Sequence, residues 1–342
     1  MPPGLSIIDI MRALQVNEYG GPEKLVVADA PVPEPQAGQV LVRVELAGIN
    51  FIDVYMREGI YKDSPTYGAP LPITLGMEAA GVVEELGPDV DGLEPGQRVA
   101  YCLSRGSYAD FACVPAWRLA PVPDDVPLDI AAALMLQGCT AHYLSHSAFP
   151  LSAGDTCLIH SGAGGVGQLL IQLAKLRGAT VITTVGNEQK AEIATLLGAD
   201  HVLVYRQVDF APAVLELTDG AGVRAVYDAV GKATFDGSLA CLGVRGCCVL
   251  YGGSSGMVQS VSPSTLAESG SVFLTRPHLA HYLRDVNEVR ERTGTLFSAY
   301  KSGQLRIETV VAGSLERTAD VHRRLEARLT TGKQLVAVGR VC

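Results

Sequence analysis

The glycines at positions 162, 164 and 167 have the spacing G-x-G-x-x-G, which can cradle a phosphate group. Glycine lets the backbone approach a pyrophosphate closely, and the N-terminus of a following helix offers it free N–H groups and a partial positive charge. In a glycine-rich chain such a match is often an ordinary tight turn. Here an apolar, strand-like segment precedes the turn and an amphipathic segment follows it. This context predicts a dinucleotide-binding site.

The end of the next predicted strand indicates which dinucleotide is bound. Enzymes that use NAD usually place an acidic residue there, where it binds the ribose 2′-hydroxyl. This strand ends in Gly186 and Asn187, so no carboxylate at its tip repels a 2′-phosphate, and Lys190 follows. Arg206 ends the following strand, although either cation is equally typical of a solvated surface. Glu188 is an alternative ribose ligand, but the residues together favour NADPH.

The cysteines and histidines do not have the spacing of a metal site. None of the eight cysteines forms a C-x-x-C pair, and several lie in apolar, strand-like segments. We therefore predict reduced, mostly buried thiols of a cytosolic protein. His142 and His146 fall on one helical face without an H-E-x-x-H pattern, which predicts packing or surface roles.

The charge and hydropathy of the chain exclude several kinds of partner. The 342 residues carry a net charge of −9, which disfavours duplex nucleic acid and anionic membranes. No stretch of about 18 apolar residues lacks a charge, Gly or Pro, so no membrane-spanning helix is predicted. Residues 1–10 have neither the basic region nor the apolar run of a signal peptide. A cytoplasmic location is expected.

From about residue 138, strand-like and helix-like segments alternate. After the glycine turn, Val166, Leu169, Leu170 and Leu173 fall on one helical face, and Gly178 ends the pattern. Alternation of this kind predicts an α/β fold with a doubly wound parallel sheet. The predicted strands are 155–160, 180–185, 201–205, 225–230 and 247–251, and the predicted helices are 166–177, 188–197, 211–217 and 234–242.

The rest of the chain predicts a second, β-rich domain. Residues 1–130 contain alternating strand-like segments at 40–46, 79–86 and 98–102, punctuated by Pro and Gly. The tail combines an amphipathic helix near 286–301 with strands at 307–311 and 334–338. Because this tail is too small to fold alone, we expect it to rejoin the first domain. The predicted domains are 1–137 with 277–342, and 138–276.

The last predicted strand of the parallel sheet, 247–251, is apolar on both faces. As the last strand it is predicted to lie at the edge of the sheet. An exposed apolar edge invites pairing, and a two-fold symmetric pair is the common solution. The sequence therefore predicts a homodimer.

Short motifs follow one another in a fixed order along the chain. They are Tyr19-Gly-Gly-Pro-Glu23, Gly48-Ile-Asn-Phe-Ile-Asp-Val-Tyr55, Gly76-Met-Glu-Ala-Ala-Gly81, the glycine turn, Thr184-Val-Gly186, Val204-Tyr-Arg206, Tyr227-Asp-Ala-Val-Gly231, Gly252-Gly-Ser-Ser-Gly256, Thr275-Arg-Pro277 and Thr331-Gly-Lys333. With these motifs the chain resembles the zinc-independent medium-chain dehydrogenases/reductases, and among them the zeta-crystallin-like quinone oxidoreductases. The resemblance implies a GroES-like twisted-barrel catalytic domain, a Rossmann domain that binds NADPH, an active site in the cleft and a dimer.

The same resemblance argues against zinc. Zinc-dependent relatives carry a ligand cysteine where Asn50 stands and a histidine where Met77 stands. An amide and a thioether cannot replace a thiolate and an imidazole around Zn²⁺. Without a Lewis acid, alcohol oxidation loses its means of stabilising an alkoxide. A quinone or enone needs less help, because its conjugated carbonyl accepts the charge of the hydride.

The resemblance also implies site residues. Asn50 and Tyr55 would lie on one loop beside the nicotinamide, and Tyr61 stands where related enoyl-thioester reductases carry a proton-donating tyrosine. A half-buried packing role is the alternative for both tyrosines. Gly253 stands where an asparagine is common, so no side-chain contact is implied there. The implied cofactor ligands are Thr140 at the nicotinamide ribose or amide; Gly164, Gly165 and Val166 at the pyrophosphate; Gly186, Lys190 and Tyr205 at the 2′-phosphate; Tyr251, Gly253, Ser254 and Ser255 at the far side of the cofactor; and Phe273, Thr275 and Arg276 at the carboxamide.

These features predict an NADPH-dependent, zinc-independent reductase that transfers a hydride, or single electrons, to a small quinone. An NADPH-dependent reductase of the C=C bond of an enone or enoyl thioester is the alternative enzyme, with Tyr55 or Tyr61 as the acid. An NADPH-binding crystallin-like or RNA-binding protein is an alternative of another class, and the acidic chain weighs against RNA.

Overall fold

The computed structural model describes residues 10–339. Cys342, and residues 1–9 of the segment 1–10 considered above, therefore lie outside the described residues. The strands, in chain order, are β1 Ile10–Val16, β2 Leu25–Pro31, β3 Gln39–Gly48, β4 Ile73–Thr74, β5 Glu78–Leu86, β6 Arg98–Cys102, β7 Phe111–Pro115, β8 Ala120–Pro121, β9 Thr156–His160, β10 Thr180–Val185, β11 His201–Val204, β12 Val223–Asp228, β13 Leu242–Leu250, β14 Phe273–Thr275, β15 Thr309–Ser314 and β16 Lys333–Ala337. The α-helices are α1 Phe51–Arg57, α2 Leu128–Ala133, α3 Cys139–Tyr143, α4 Gly165–Leu176, α5 Glu188–Leu196, α6 Phe210–Leu217, α7 Phe235–Ala240, α8 Pro263–Glu268, α9 Val286–Lys301 and α10 Thr318–Glu326.

The first of two compact units contains residues 10–136, 283–301 and 307–339. Its larger sheet has the order β15-β16-β3-β5-β6-β8, with β7 also paired to β3, and a smaller sheet has the order β2-β1-β4. In the tail, β16 pairs antiparallel with β3, so that Leu335 lies opposite Gly48. The tail therefore shares a sheet with the β-rich N-terminal segment.

The second unit contains residues 137–282 and 302–306. Its six strands are all parallel and have the order β11-β10-β9-β12-β13-β14. The chain fills one half of the sheet with β9, β10 and β11 and then reverses to fill the other with β12, β13 and β14. The predicted doubly wound sheet is confirmed. Ligands bind such sheets at the carboxyl ends of the strands, next to this reversal.

The unit boundaries differ in part from the predicted domain boundaries. The structure assigns 277–282 and 302–306 to the second unit. The ring of Tyr282 stacks on that of Tyr143 in the second unit, with centroids 4.3 Å apart. The side chain of Gln172 also makes two hydrogen bonds with the backbone of Arg306, at 2.9 and 2.7 Å. These contacts hold both segments to the second unit.

Two local predictions are wrong. Segment 247–251 is not an edge strand, because β14 pairs with β13 from Cys247 to Val249. β14 has only three residues, too few for a periodic pattern to stand out. Asn50 and Tyr55 were predicted to lie on one loop, but Asn50 is the N-cap of α1 and Tyr55 lies within that helix. The carboxylate of Asp53 caps α1 by accepting from the backbone N–H of Asn50 at 2.9 Å.

The described residues include no helix that is both long and apolar enough to cross a bilayer. The seven described cysteines form no disulfide, and six of them are buried, with Cys113 partly exposed. Among residues 10–339, no three His, Cys, Asp or Glu side chains are grouped closely enough to hold a metal ion.

Candidate functional site

In the first unit, the candidate site is built around the N-terminus of α1. Asn50 precedes the helix and is 4% exposed. Asp53, in the first turn, accepts through Oδ2 from the backbone N–H of Asn50 and from the hydroxyl of Tyr108, both at 2.9 Å. A carboxylate in the first turn satisfies an otherwise unpaired N–H and complements the positive end of the helix. The backbone at Asn50 is thereby fixed.

The Asp53 carboxyl is in an unusual electrostatic environment. It is fully buried, and its Oδ1 atom accepts no hydrogen bond from residues 10–339. Burial raises the pKa of Asp53 to about 7, against the opposing effects of the bonds from Tyr108 and Asn50. Near neutral pH the group is therefore divided between its protonated and ionised forms.

A buried ion pair lies on the other side of Asn50. Lys333 Nζ contacts Glu78 Oε2 and donates to Asn50 Oδ1 at 2.9 Å. Asn50 Nδ2 donates to Glu78 Oε2 at 2.8 Å, and the backbone N–H of Leu136 donates to Glu78 Oε1 at 2.5 Å. The amide of Asn50 is therefore held at both ends by charged side chains.

A second buried charge anchors the C-terminus of α1. The fully buried guanidinium of Arg57 donates to Glu326 Oε1 at 2.7 Å, to the carbonyl of Gly20 at 2.9 Å and to His322 Nδ1 at 3.2 Å. Burial, together with the charge of Arg57, lowers the pKa of His322 to about 3. The imidazole is neutral and accepts from Arg57, so α1 is tied to α10.

Aromatic rings continue from α1 into the segment that follows it. Tyr55 and Tyr61 meet edge to face with ring centroids 5.6 Å apart, and Tyr61 lies 5.3 Å from Tyr67. Phe51 lies 6.0 Å from Tyr55. Tyr55 and Tyr67 are each 8% exposed, while Tyr61 is half-buried. The row brings three phenols together, those of Tyr55, Tyr61 and Tyr67.

In the second unit, the glycine turn follows β9 and leads into α4. A Cβ on Gly162 would overlap the Thr183 hydroxyl, and one on Gly167 would overlap the carbonyl of Ser161. At Gly164 the nearest atom to such a Cβ is the same carbonyl, at 3.2 Å. Two of the glycines therefore allow close packing of the turn. The N-terminus of α4, with no acidic residue in its first turn, is suited to bind an anion.

The ribose end of the predicted site lies after β10. A Cβ on Gly186 would lie 3.1 Å from the hydroxyl of Tyr205. The side chain of Asn187 caps α5 by accepting from the backbone N–H of Lys190 at 2.9 Å, which places Lys190 in the first turn. Glu188, the alternative ribose ligand, instead accepts from Gln207 at 2.9 Å. The Tyr205 hydroxyl therefore lies beside Gly186, Lys190 lies in the first turn of the next helix, and the Glu188 carboxylate is engaged by Gln207.

A buried network joins three strand ends below the glycine turn. Ser238 donates to Asp228 at 2.8 Å, so its oxygen accepts from Nε2–H of His160 at 3.0 Å. Nδ1 of His160 then accepts from the hydroxyl of Thr184 at 2.8 Å. Burial lowers the pKa of His160, which keeps the ring neutral. Asp228 also accepts the backbone N–H groups of Val230 and Gly231, at 2.7 and 3.0 Å.

Comparison with known proteins identifies the family. Residues 36–124 match the alcohol dehydrogenase GroES-like domain, and residues 165–285 match the zinc-binding dehydrogenase family. The chain is 41% identical to a 2-haloacrylate reductase from a Burkholderia species, over 94% of this chain and 98% of that protein. It is 39% identical to a quinone oxidoreductase of Pseudomonas aeruginosa, over 95% and 99% of the two chains. The chain belongs to the zinc-independent medium-chain dehydrogenases/reductases, in the quinone oxidoreductase family.

Two solved structures of family members were determined with NADPH bound. A mycobacterial protein complexed with NADPH is 44% identical, with a TM-score of 0.90 over 95% of this chain and 99% of that chain. The quinone oxidoreductase of Escherichia coli complexed with NADPH is 36% identical, with a TM-score of 0.91 over the same shares. The protein is thus an oxidoreductase of the medium-chain family.

Most of the predicted cofactor residues of this oxidoreductase follow the carboxyl ends of the parallel strands. Gly164, Gly165 and Val166 follow β9, Gly186 and Lys190 follow β10, Tyr205 follows β11, and Tyr251, Gly253, Ser254 and Ser255 follow β13. Thr140, 7% exposed, lies on α3. Thr275 ends β14 and Arg276 follows it, whereas Phe273 begins that strand and is 65% exposed.

The Ser255 side chain has an internal role. Its hydroxyl donates to the carbonyl of Val230 at 2.7 Å and accepts from the backbone N–H of Ala233 at 2.9 Å. It therefore ties the loop after β13 to the loop after β12. A cofactor contact through the Ser255 side chain would have to share these bonds.

The buried charges around α1 were missed by the sequence analysis. Asp53 stands three residues after Asn50, a spacing typical of a helix cap, and this signal was available. Lys333 closes one of the motifs, but nothing local links it to Asn50. Arginine side chains are mostly exposed and histidine side chains are intermediate, so the types of Arg57 and His322 gave no signal of burial.

Proposed function

We propose that this protein is an NADPH-dependent quinone reductase. The observation that carries the proposal is the neutral character of the predicted catalytic side chains: one amide, Asn50, and two phenols, Tyr55 and Tyr61. Such groups donate hydrogen bonds at neutral pH but do not remove protons. A substrate suited to them has a carbonyl that already accepts the charge of a hydride, as a quinone does.

The second unit fits the cofactor assigned to it by this proposal. The closely packed glycine turn leads into the N-terminus of α4, which has no acidic residue in its first turn to repel a pyrophosphate. The segment around Gly186 and Lys190 offers no carboxylate at the strand tip to repel a 2′-phosphate. Bound NADPH supplies the hydride. Asn50 and Tyr55 then position the substrate and donate hydrogen bonds to the oxygen that gains charge. In other enzymes such a donor is typically worth about a hundredfold or more, but a quinone should depend on it far less, because the anion formed from it is already stabilised by conjugation.

Reduction of a conjugated C=C bond is the second candidate. Two observations favour it: the similarity to a 2-haloacrylate reductase, and the edge-to-face contact of Tyr55 with Tyr61 at 5.6 Å. Addition of a hydride to such a bond leaves a carbon that must gain a proton. Either phenol is then the acid.

A steady-state panel of ortho- and para-quinones, enones, a haloacrylate and an enoyl-CoA with NADPH separates the two candidates. We expect the highest kcat/KM with a quinone. A haloacrylate or enoyl thioester that is reduced far faster than every quinone would reject quinone reduction in favour of the second candidate.

The tyrosines give a sharper test in the same assay. Tyr55→Phe and Tyr61→Phe should leave quinone turnover within a few-fold and reduce enone turnover by roughly a hundredfold, because only the enone needs a proton at carbon. If either variant loses quinone turnover while still binding NADPH, that tyrosine is a catalytic acid for quinones as well.

A further inference from the structure

Asn50, Glu78 and Lys333 form a closed ring of hydrogen bonds in the interior of the first unit. The side chains of Lys333 and Glu78 are 2% and 0% exposed. Lys333 donates to Asn50 Oδ1 at 2.9 Å, Asn50 Nδ2 donates to Glu78 Oε2 at 2.8 Å, and the ion pair closes the ring. Two opposite charges thus contact the two ends of one amide.

The surroundings are shaped for this ring. A Cβ on Gly48 would overlap the carboxylate of Glu78 and lie 2.8 Å from Lys333 Nζ. Only glycine at position 48 therefore leaves space for these two charged groups. The ammonium also reaches the carbonyl of Ile49 at 3.4 Å, and the carboxylate accepts from the backbone of Leu136. A buried charge is costly unless it is paired and hydrogen-bonded, and both charges here meet that condition.

The ring admits only one orientation of the Asn50 amide. An ammonium group has only donors, and an ionised carboxylate has only acceptors. If the amide were turned over, its N–H groups would face the ammonium of Lys333 and its oxygen would face the carboxylate of Glu78. Both contacts would be repulsive, so the charges determine which end of Asn50 donates.

We propose that Lys333 and Glu78 are positioning residues for the reaction, because they fix the donor and acceptor ends of Asn50. This inference rests on the proposed function in one respect, the contact of Asn50 with the substrate. A purely structural ion pair would stabilise the fold without acting through Asn50. The two roles differ in what happens when the charges are replaced by neutral groups of similar shape.

The test uses the double variant Lys333→Met/Glu78→Gln in the full-length protein. Methionine and glutamine retain most of the side-chain volume, and such replacements of buried ion pairs are often neutral for stability. Methionine offers Asn50 no donor. The glutamine oxygen accepts from the backbone N–H of Leu136, so its NH2 group faces Asn50 and the original orientation of the Asn50 amide is no longer imposed. The matched control is Lys301→Met/Asp125→Asn, which removes an exposed ion pair of 2.9 Å in the same unit.

The first measurement needs neither cofactor nor substrate. The chain has four asparagines, at 17, 50, 187 and 287, and only Asn50 is buried. In protein labelled with ¹⁵N-asparagine, the Asn50 side-chain signals are assigned by their loss in Asn50→Leu. We expect one downfield, slowly exchanging Asn50 proton in the unaltered protein and in the control, and its loss in Lys333→Met/Glu78→Gln. Unchanged Asn50 signals in that variant would overturn the proposal.

The second measurement is a double-mutant cycle on kcat for an enone, with NADPH saturating. We expect Lys333→Met/Glu78→Gln to lower kcat about tenfold when Asn50 is present and less than twofold in the Asn50→Leu background, since effects that act through one residue are not additive. Equal losses in both backgrounds would assign the pair a structural role. If the unaltered protein reduces no substrate, the proposed function fails, and the NMR measurement still decides the role of the ion pair.

Discussion

At the scale of single residues, the N-terminus of α1 concentrates buried charge around one amide. Asp53 holds the backbone of Asn50, while Glu78 and Lys333 hold its side chain. Two carboxyl groups and one ammonium therefore share a region without solvent. Such an arrangement favours protonation of the less well-paired carboxyl group, which is Asp53.

The variant Asp53→Asn should reveal this protonation, because its stability relative to the unaltered protein should increase with pH. The folded-state pKa of Asp53, about 7, lies above the ordinary value of 3.8 for an exposed aspartate, so the folded protein binds the proton more tightly than the unfolded chain. Its contribution to stability is complete below about pH 4 and is lost as the pH rises to about 7. Asparagine resembles the protonated acid, so the difference in unfolding free energy, variant minus unaltered protein, should rise between pH 4 and 7 and then level off.

Chemical unfolding at intervals between pH 4 and 9 measures this difference. The pH dependence of the unaltered protein alone is not informative, because His322 has the opposite effect. Its pKa is lowered to about 3 in the folded protein, so its contribution to the unfolding free energy decreases as the pH falls, whereas that of Asp53 increases. A difference that does not change with pH would show that Asp53 is ionised throughout the range.

Lys190 tests the choice of cofactor. If its ammonium binds the 2′-phosphate, the charge-assisted bond is worth roughly 1.5–3 kcal/mol. Lys190→Ala should then weaken NADPH binding by roughly ten- to a hundredfold and leave NADH binding nearly unchanged. Fluorescence titration with both cofactors measures this. Lys175→Ala, which removes a surface pair with Asp200 at 2.7 Å, is the control. Equal losses for both cofactors would remove Lys190 from the phosphate site.

At the scale of elements, the junction of β9 and α4 depends on close backbone contact. A Cβ on Gly167 would overlap the carbonyl of Ser161 and lie 2.9 Å from Cα of Gly162. Neither atom is at the flexible end of a side chain, so the turn itself must move. Because backbone N–H groups of this turn are the proposed phosphate ligands, the movement should affect binding and stability together.

Gly167→Ala should therefore lower the unfolding free energy by about 1–3 kcal/mol and weaken NADPH binding. Thermal unfolding and cofactor titration measure the two effects. Gly294→Ala is the control, since Gly294 lies within α9 with nothing within 4 Å of an added Cβ. There alanine should stabilise the helix by about 0.5–1 kcal/mol. A Gly167→Ala protein as stable as the unaltered one would show that the turn tolerates a side chain.

At the scale of the whole molecule, the edge of the parallel sheet indicates how the protein assembles. The edge strand is β14, not the predicted segment 247–251, and its Phe273 is 65% exposed. Val244, at the start of β13, is 72% exposed. Exposed apolar groups beside an open edge favour pairing with a second copy.

We expect a homodimer that pairs through β14. Light scattering should give about twice the chain mass of 36.0 kDa, and Phe273→Lys should shift the equilibrium towards the monomer. Leu196→Lys, at a leucine of α5 that is 74% exposed, should leave the dimer intact. A monomer at micromolar concentration in the unaltered protein would reject the dimer.

The elements of the second unit could largely be predicted, because their signals are local. Strand 180–185 has the predicted bounds, and α4 begins one residue before its prediction. In the first unit, helix 286–301 also has the predicted bounds. The spacing of apolar residues and the glycines that end each element are patterns of a few neighbouring residues, so they can be recognised in the sequence alone. The three-residue β14 lacks enough residues for a period, and α1 depends on a cap by Asp53 that the prediction of a loop overlooked.

By itself the sequence determined the two kinds of domain, the glycine turn and the absence of an acidic residue at the tip of β10. These follow from residue types and short spacings. Only the tertiary structure decided that Lys333 meets Asn50, because 283 positions separate them and the contact arises where β16 pairs with β3. It likewise decided the pKa of Asp53, since burial, the main cause of the shift, is a property of the packed chain and not of the residue.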